Sequence, residues 1–144
     1  MSGTGHTVKS YEEEMQSLND NLVMMGSLTE SQMADAMAAV IKVDKDSVDK
    51  IVKNDGKINE LRSVIDNQIT TVLVKRAPMA VDLRITISTM KISHDLERIG
   101  DLAKSVAKKV KPLPVDLPDE LIGSLRRLGD LVQKQLKDAL DAYL

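Results

Sequence analysis

The sequence predicts an all-α protein: an antiparallel three-helix bundle, followed by a fourth helix that opens a second bundle. Three observations point there. Apolar residues recur at steps of three and four over four long stretches, the period of a helix with one buried face. Aromatics are nearly absent, with two Tyr and neither Phe nor Trp, so the core must be built from Leu, Ile, Val, Ala and eight Met. Sandwiches and barrels draw more on aromatic and β-branched residues. Finally, the stretches are separated by breaks that a helix cannot cross, rich in Pro or in short polar residues. A chain of 144 residues, 42% hydrophobic and 29% charged, suits a soluble globular protein with a sizeable core.

Residues 1–7 are small, polar and Gly-containing, and read as a flexible tail. The first helix runs from Val8 to about Val43 on the stripe Met15, Leu18, Leu22, Met25, Met33, Met37 and Val40. "MGSLTES" weakens its middle, and Gly26 allows a kink there. "VDKDS" is a polar turn with Asp46 or Ser47 as the N-cap of the next helix. That second helix, 47–76, carries Val48, Ile51, Val52, Ile58, Leu61, Ile65, Ile69 and Val72, with Asp55 interrupting the stripe. Pro78 breaks the chain in "KRAPMAVD", and Asp82 supplies an acid at the next N-terminus. The third helix extends to about Lys111 on Leu83, Ile85, Ile92, Leu96, Ile99, Ala103, Val106 and Val110. The domain division is thus tail 1–7, three-helix bundle 8–111, and a piece of a second bundle at 112–144. In that piece "KPLPVDLPDE" connects to a fourth helix from Pro118, with Leu121, Leu125, Leu128, Val132, Leu136 and Leu140 on its seam. This periodicity is still strong at Leu144, with no cap, Gly or Pro to stop it, so the chain reads as the first part of a longer bundle protein.

Composition excludes several function classes. Net charge is −2 with both signs interleaved, unlike the basic footprint of a nucleic-acid binder, and there are no stacking aromatics. No cysteine is present, so there are neither disulfides nor thiolate ligands. No window resembles a signal peptide or a membrane span. There is no Gly-rich phosphate loop, no H-E-x-x-H, and no Glu-x-x-His pair of the di-iron bundles, "HDLE" reversing that order.

The chemistry-bearing residues lie on the second and third helices. Asp55 and Asn59 are four apart, as are Glu97 and Asp101, so each pair shares a helix face. Asp55 lies about 23 residues before Pro78 and Asp101 about 23 after it, which places both pairs at one height in an antiparallel hairpin. Oxygen donors meeting across two helices suit Mg²⁺, Mn²⁺, Ca²⁺ or an oxophilic iron. Neighbouring carboxylates otherwise repel unless a proton or cation lies between them. A second reading stays open at this point. The acids can belong to a solvated charged face, paired with Lys91, Arg98 or Lys104, and His94 can be an ordinary hydrogen-bonded histidine beside them.

The segment "KRAPMAVDLRITISTMKISHDLERIGDLAKSV" resembles the PhoU family, the accessory and regulatory proteins of bacterial phosphate uptake. Arg76, Pro78, Ala80, Asp82, Leu83 and Arg84 match the family's R-x-P-x-A-x-D-L-R. Asp95, Leu96, Glu97, Arg98, Ile99, Gly100, Asp101 and Ala103 match its (D/E)-L-E-R-I-G-D-x-A. "NDGKINEL" is similar to the family's D-x-x-x-N segment at Asp55 and Asn59, with Asn59 departing from the acid usual there. The resemblance covers residues 8 to about 110 and extends to the fourth helix. It implies two tandem three-helix bundles, of which this chain would hold the first and the opening helix of the second. It also implies bound metal, iron, zinc, magnesium or manganese, with Asp55, Asn59, Glu97 and Asp101 as ligands. The function it implies is not enzymatic. It is a cytoplasmic adapter and a homo-oligomer, a dimer, held near the inner membrane by its partners. Those partners are a phosphate ABC transporter ATPase (PstB-like) and a sensor histidine kinase (PhoR-like), and the adapter represses the phosphate-starvation response. Two other classes remain beside it: a metal-dependent enzyme acting on phosphorylated substrates, and a purely structural helical bundle.

Overall fold

The computed structural model describes residues 3–143, with side chains from Val8 onward. Four helices account for nearly all of it: α1 (Gly3–Lys42), α2 (Ser47–Arg76), α3 (Val81–Lys108) and α4 (Asp119–Tyr143). α1 therefore starts earlier than the sequence pattern placed it, and Gly3–Thr7 belong to the helix rather than to a tail. Met1 and Ser2, the rest of that expected tail, lie outside the described residues, as does Leu144.

α1 ends in a Schellman turn. The Asp44 amide donates to the Ala39 carbonyl at 2.9 Å and the Val43 amide to that of Val40 at 3.2 Å. Val43 takes the left-handed position, at φ 50°, that glycine usually fills. The start of α2 corrects the sequence reading. Asp46 occupies the N-cap without a side-chain hydrogen bond. Asp44 does the capping instead, its Oδ1 accepting from the amides of Asp46 and Ser47 at 3.1 and 3.2 Å. Its Oδ2 is hydrogen-bonded to the Ser47 hydroxyl. α2 ends at left-handed Ala77 just before Pro78, as a residue excluded from the helical region by the following proline should. α3 starts without a side-chain cap, Asp82 lying in its first turn. α1 is helical throughout, with no break at Gly26.

α2 runs antiparallel to both α1 and α3. Side-chain pairs descend in register, Asn21 with Gln68 and Gln32 with Asp55 on one side, Arg62 with Glu97 and Asp66 with His94 on the other. α4 packs on α1 and runs antiparallel to it. Two glycines permit the approach. A Cβ at Gly129 would lie 2.7 Å from Met37 Cε, and one at Gly26 would lie 3.1 Å from Leu140 Cδ2.

The core falls into two apolar halves. One holds Met33, Ala36, Val40, Val48, Ile51, Ala103, Ala107 and Val110. The other holds Leu18, Leu22, Met25, Ile58, Ile65, Ile69, Leu96 and Leu140. The expected stripes of α1 and α2 supply most of both. α3 departs from expectation in its first turns, where Leu83 and Ile85 are exposed and Thr86, Thr89 and Ser93 are buried. The buried hydroxyls are satisfied: Thr86 bonds the Asp82 carbonyl and Ser93 that of Met90, both at 2.8 Å, and Thr89 meets Tyr143 Oη at 3.3 Å. Small satisfied residues can therefore face inward, and the larger apolar ones turn out. On α4, Leu121 and Leu128 likewise leave the seam for the surface, while Leu125, Val132 and Leu136 are half-buried against the core.

Candidate functional site

Between the two apolar halves lies a polar layer, and the candidate site is part of it. Each helix crosses it where its stripe is interrupted: α1 between Met25 and Met33, α2 between Ile51 and Ile58, α3 between Leu96 and Ala103. The polar occupants are Thr29 and Gln32 of α1, Asp55 of α2, and Gly100, Asp101 and Lys104 of α3. Burial of a carboxylate is expensive unless it is paired and hydrogen-bonded, and Asp55, 2% exposed, is both. Its Oδ1 accepts from Gln32 Nε2 at 3.0 Å. Its Oδ2 lies 2.5 Å from Lys104 Nζ and accepts from Asn59 Nδ2 at 3.3 Å.

The structure brings all four expected residues onto one face of the α2–α3 pair. Asp55 is at its floor. Asn59 stands one turn along α2 and is exposed, spending its amide NH₂ on Asp55. Asp101 Oδ1 lies 2.7 Å from the same Lys104 ammonium. Glu97 stands one turn before Asp101 on the same face of α3, its Oε2 3.5 Å from Arg62 Nη1. The equal-height expectation from the hairpin therefore holds for Asp55 and Asp101, which one lysine bridges. Among the described residues, no three His, Cys, Asp or Glu side chains are arranged around a common metal-sized position; the acids are arranged around an ammonium.

The electrostatics follow from these contacts. Lys104 lowers the Asp101 carboxyl below the usual carboxylate range, chiefly through its hydrogen bond. The hydrogen bonds to Asp101 and Asp55 raise the Lys104 ammonium in turn. Glu97 moves the other way. Burial pushes it up, the neighbouring Asp101 carboxylate pushes further, and Arg62 opposes them. Lys104 places one positive charge between Asp55 and Asp101, and Glu97 is the acid whose carboxyl is raised. This is the proton-or-cation condition that crowded carboxylates impose.

Two site residues escaped the sequence reading. Gln32, 3% exposed, closes the floor from α1, its Nε2 also donating to the Gly100 carbonyl at 3.2 Å. Its Oε1 is buried with no hydrogen-bond partner among the described residues. The signal was present: Gln32 lies seven residues after Met25, on the inward face, directly after the stretch "MGSLTES". Gly100 is the second. A Cβ there would lie 3.0 Å from Ile58 Cδ1 and 3.5 Å from Asp55 Oδ1, so glycine sets how closely α3 approaches Asp55. His94 lies outside this group, 3.2 Å from Asp66 Oδ1 and 3.4 Å from Arg62 Nη2. A groove of about 500 Å³ between α1 and α2, lined in part by Glu13, Glu14 and Gln68, shares no residue with the site.

Comparison with known proteins adds the family. The PhoU domain family matches residues 22–110. The chain is 43% identical over 141 residues to the phosphate-specific transport system accessory protein PhoU homolog of Caulobacter vibrioides, covering 97% of this chain and 61% of that protein. Against the PhoU homolog of Clostridium acetobutylicum it is 34% identical over 139 residues, covering 96% and 64%. The crystal structure of PhoU from Pseudomonas aeruginosa matches with a TM-score of 0.83 at 35% identity, over 92% of this chain and 64% of that one. The chain thus spans roughly three-fifths of the length of these relatives.

Proposed function

Because this chain belongs to the PhoU family, we propose that it is a non-enzymatic accessory protein of phosphate-specific transport. In this reading it couples the ATPase of a phosphate ABC transporter to a sensor histidine kinase and restrains the phosphate-starvation response. It works in the cytoplasm, as a dimer, close to the membrane through those partners. The observation that carries the reading is the similarity, along nearly the whole chain, to accessory proteins of phosphate-specific transport. The site is compatible with it. Its acids form a strip across two helices, open to a docking protein at Asn59, Asp101 and Glu97 and closed at Asp55.

A divalent cation is part of the proposal. Asp55, Asn59, Glu97 and Asp101 would hold it, and an all-oxygen donor set favours Mg²⁺ or Mn²⁺ over softer ions. The fit is supported by the ammonium already drawn between Asp55 and Asp101. When bound, the ion would supply the positive charge that ties α2 to α3 at this level.

The test is surface plasmon resonance of this chain against the transporter ATPase and against the cytoplasmic part of the kinase, after chelation and with Mn²⁺. Binding to both, weakened by Glu97→Ala/Asp101→Ala, is expected. Failure to bind either partner in both conditions removes the adapter reading. Hydrolysis of simple phosphoesters that disappears in Asp101→Ala would replace it with a metal-dependent enzyme.

A further inference from the structure

The site contains a cation of its own. Lys104 follows Asp101 by three residues on α3, and its ammonium lies 2.5 Å from Asp55 Oδ2 and 2.7 Å from Asp101 Oδ1. These are charge-assisted contacts to the very oxygens that a metal would need. Asp55 Oδ1 is in turn engaged from behind by buried Gln32, which leaves Oδ2 as the oxygen facing the strip. A Mg²⁺ or Mn²⁺ at about 2.0–2.2 Å from Asp55 Oδ2 and the ammonium at its present distance would occupy overlapping volume. One must leave, and only one can. The Lys104 side chain is 22% exposed on a flexible four-carbon stem, so its head can swing to solvent.

We infer that Lys104 is a tethered competitor of the divalent cation, holding the position between Asp55 and Asp101 until an ion displaces it. The inference rests on the metal reading above. It adds a consequence that the ligand set alone does not give. Loading exchanges a single charge for a double one between α2 and α3, and it also delivers a freed ammonium to the outer surface of α3, beside exposed Lys108. Both changes make the strip more positive where a partner would meet it. Ion occupancy thereby changes the docking face itself.

Two measurements test this. In the native chain, Lys104 acylation by a water-soluble succinimidyl ester is followed by mass spectrometry as Mn²⁺ is added, with Lys108 as internal reference. Labelling of Lys104 should rise several-fold on loading while Lys108 stays constant. Mn²⁺ affinity is then measured by electron paramagnetic resonance for the native chain, Lys104→Met and Lys108→Met. Losing a tethered competitor should tighten binding by about tenfold or more. Lys108→Met makes the same change in net charge without touching the acids, and should stay within about twofold. Equal affinities for the native chain and Lys104→Met, or unchanged Lys104 labelling while Mn²⁺ binds, overturn the inference and leave the metal reading standing. No Mn²⁺ binding by any of the three proteins overturns both. The labelling experiment needs no variant, so it decides the matter even if Lys104→Met folds poorly.

Discussion

Lys104→Met strands the Asp55 carboxylate, and the cost can be worked from its contacts. Breaking a buried ion pair by removing one partner typically costs about 3–5 kcal/mol. Here the loss is smaller. Asp55 keeps its hydrogen bonds from Gln32 and Asn59, and the space vacated by the ammonium admits water, because Lys104 is partly exposed. A figure of roughly 2–3 kcal/mol follows, which for a chain of this length lowers Tm by about 6–12 °C. The reverse change is milder. Asp55→Leu leaves Lys104 with Asp101 and solvent, and should cost about 1 kcal/mol or less. The double variant has no stranded charge and joins the two apolar halves of the core, so it should melt within about 1 kcal/mol of the native chain. The assay is thermal unfolding by circular dichroism in chelator at pH 7, on all four proteins of the cycle. If the double variant shows the plain sum of the single losses, or if Lys104→Met melts with the native chain, Asp55 does not depend on Lys104 and the account of the polar layer is wrong.

Other perturbations separate other parts of the structure. Glu97→Gln should stabilise the protein at neutral pH by up to about 1 kcal/mol. The Glu97 pKa is raised in the fold by burial and by Asp101, so its charged form is disfavoured above that pKa and costs nothing once the group is protonated in both states. The gain should therefore vanish in melts taken below the usual carboxylate range, and a gain that persists there refutes the assignment. Asp44→Ala removes three hydrogen bonds at the start of α2 and should cost about 1 kcal/mol in urea melts, whereas Asp46→Ala should cost almost nothing. Gly129→Val drives branched carbon into Met37 and should free α4 while sparing the bundle; hydrogen exchange should rise across 119–143 and stay low in α2 and α3. Leu128 and Leu131 are 58% and 60% exposed on the face of α4 turned away from α1, and such a patch favours self-association. Leu128→Asp with Leu131→Glu should lower the sedimenting mass, and an unchanged monomer in both proteins would remove that expectation.

The helices were legible because their information is local. Leu18, Leu22 and Met25, or Ile58, Ile65 and Ile69, declare their inward face by spacing alone, and Pro78 declares the hairpin. What misled was size taken as a guide to burial. In the first turns of α3, Leu83 and Ile85 are the largest apolar side chains, yet Thr86, Thr89 and Ser93 face inward. A hydroxyl that bonds a carbonyl of its own helix is no longer a cost in the core, and no periodicity in apolar residues reveals that. The cap of α2 was missed for a related reason. Asp44, Asp46 and Ser47 are all capping residues, and the choice among them depends on how α1 ends, with Val43 in the left-handed region swinging the Asp44 carboxylate toward the amides of Asp46 and Ser47.

The site was legible as a set of residues but not as an electrostatic state. Spacing put Asp55, Asn59, Glu97 and Asp101 on one face. It could not say whether a lysine, a proton or a metal keeps them together, because Lys91, Arg98 and Lys104 all lie within reach along α3. The choice is made by depth. Of the three, Lys104 is the one that reaches buried Asp55, its ammonium 2.5 Å from Oδ2. Lys91 and Arg98 are exposed on the outside of the same helix. Gln32 is decided by the same geometry from the other side, since only a three-helix cross-section shows that an amide of α1 faces a carboxylate of α2. A polar interruption at one level in all three stripes is the trace that such a layer leaves in a sequence. Here it is "TESQ" in α1, Asp55 in α2 and "GDLAK" in α3. Each interruption alone reads as a weak helix or a surface acid. Aligned through the antiparallel turns, they specify a buried charge, its counter-charge and its hydrogen-bond donor, which is why Asp55 can sit inside a core otherwise built from Leu, Ile and Met.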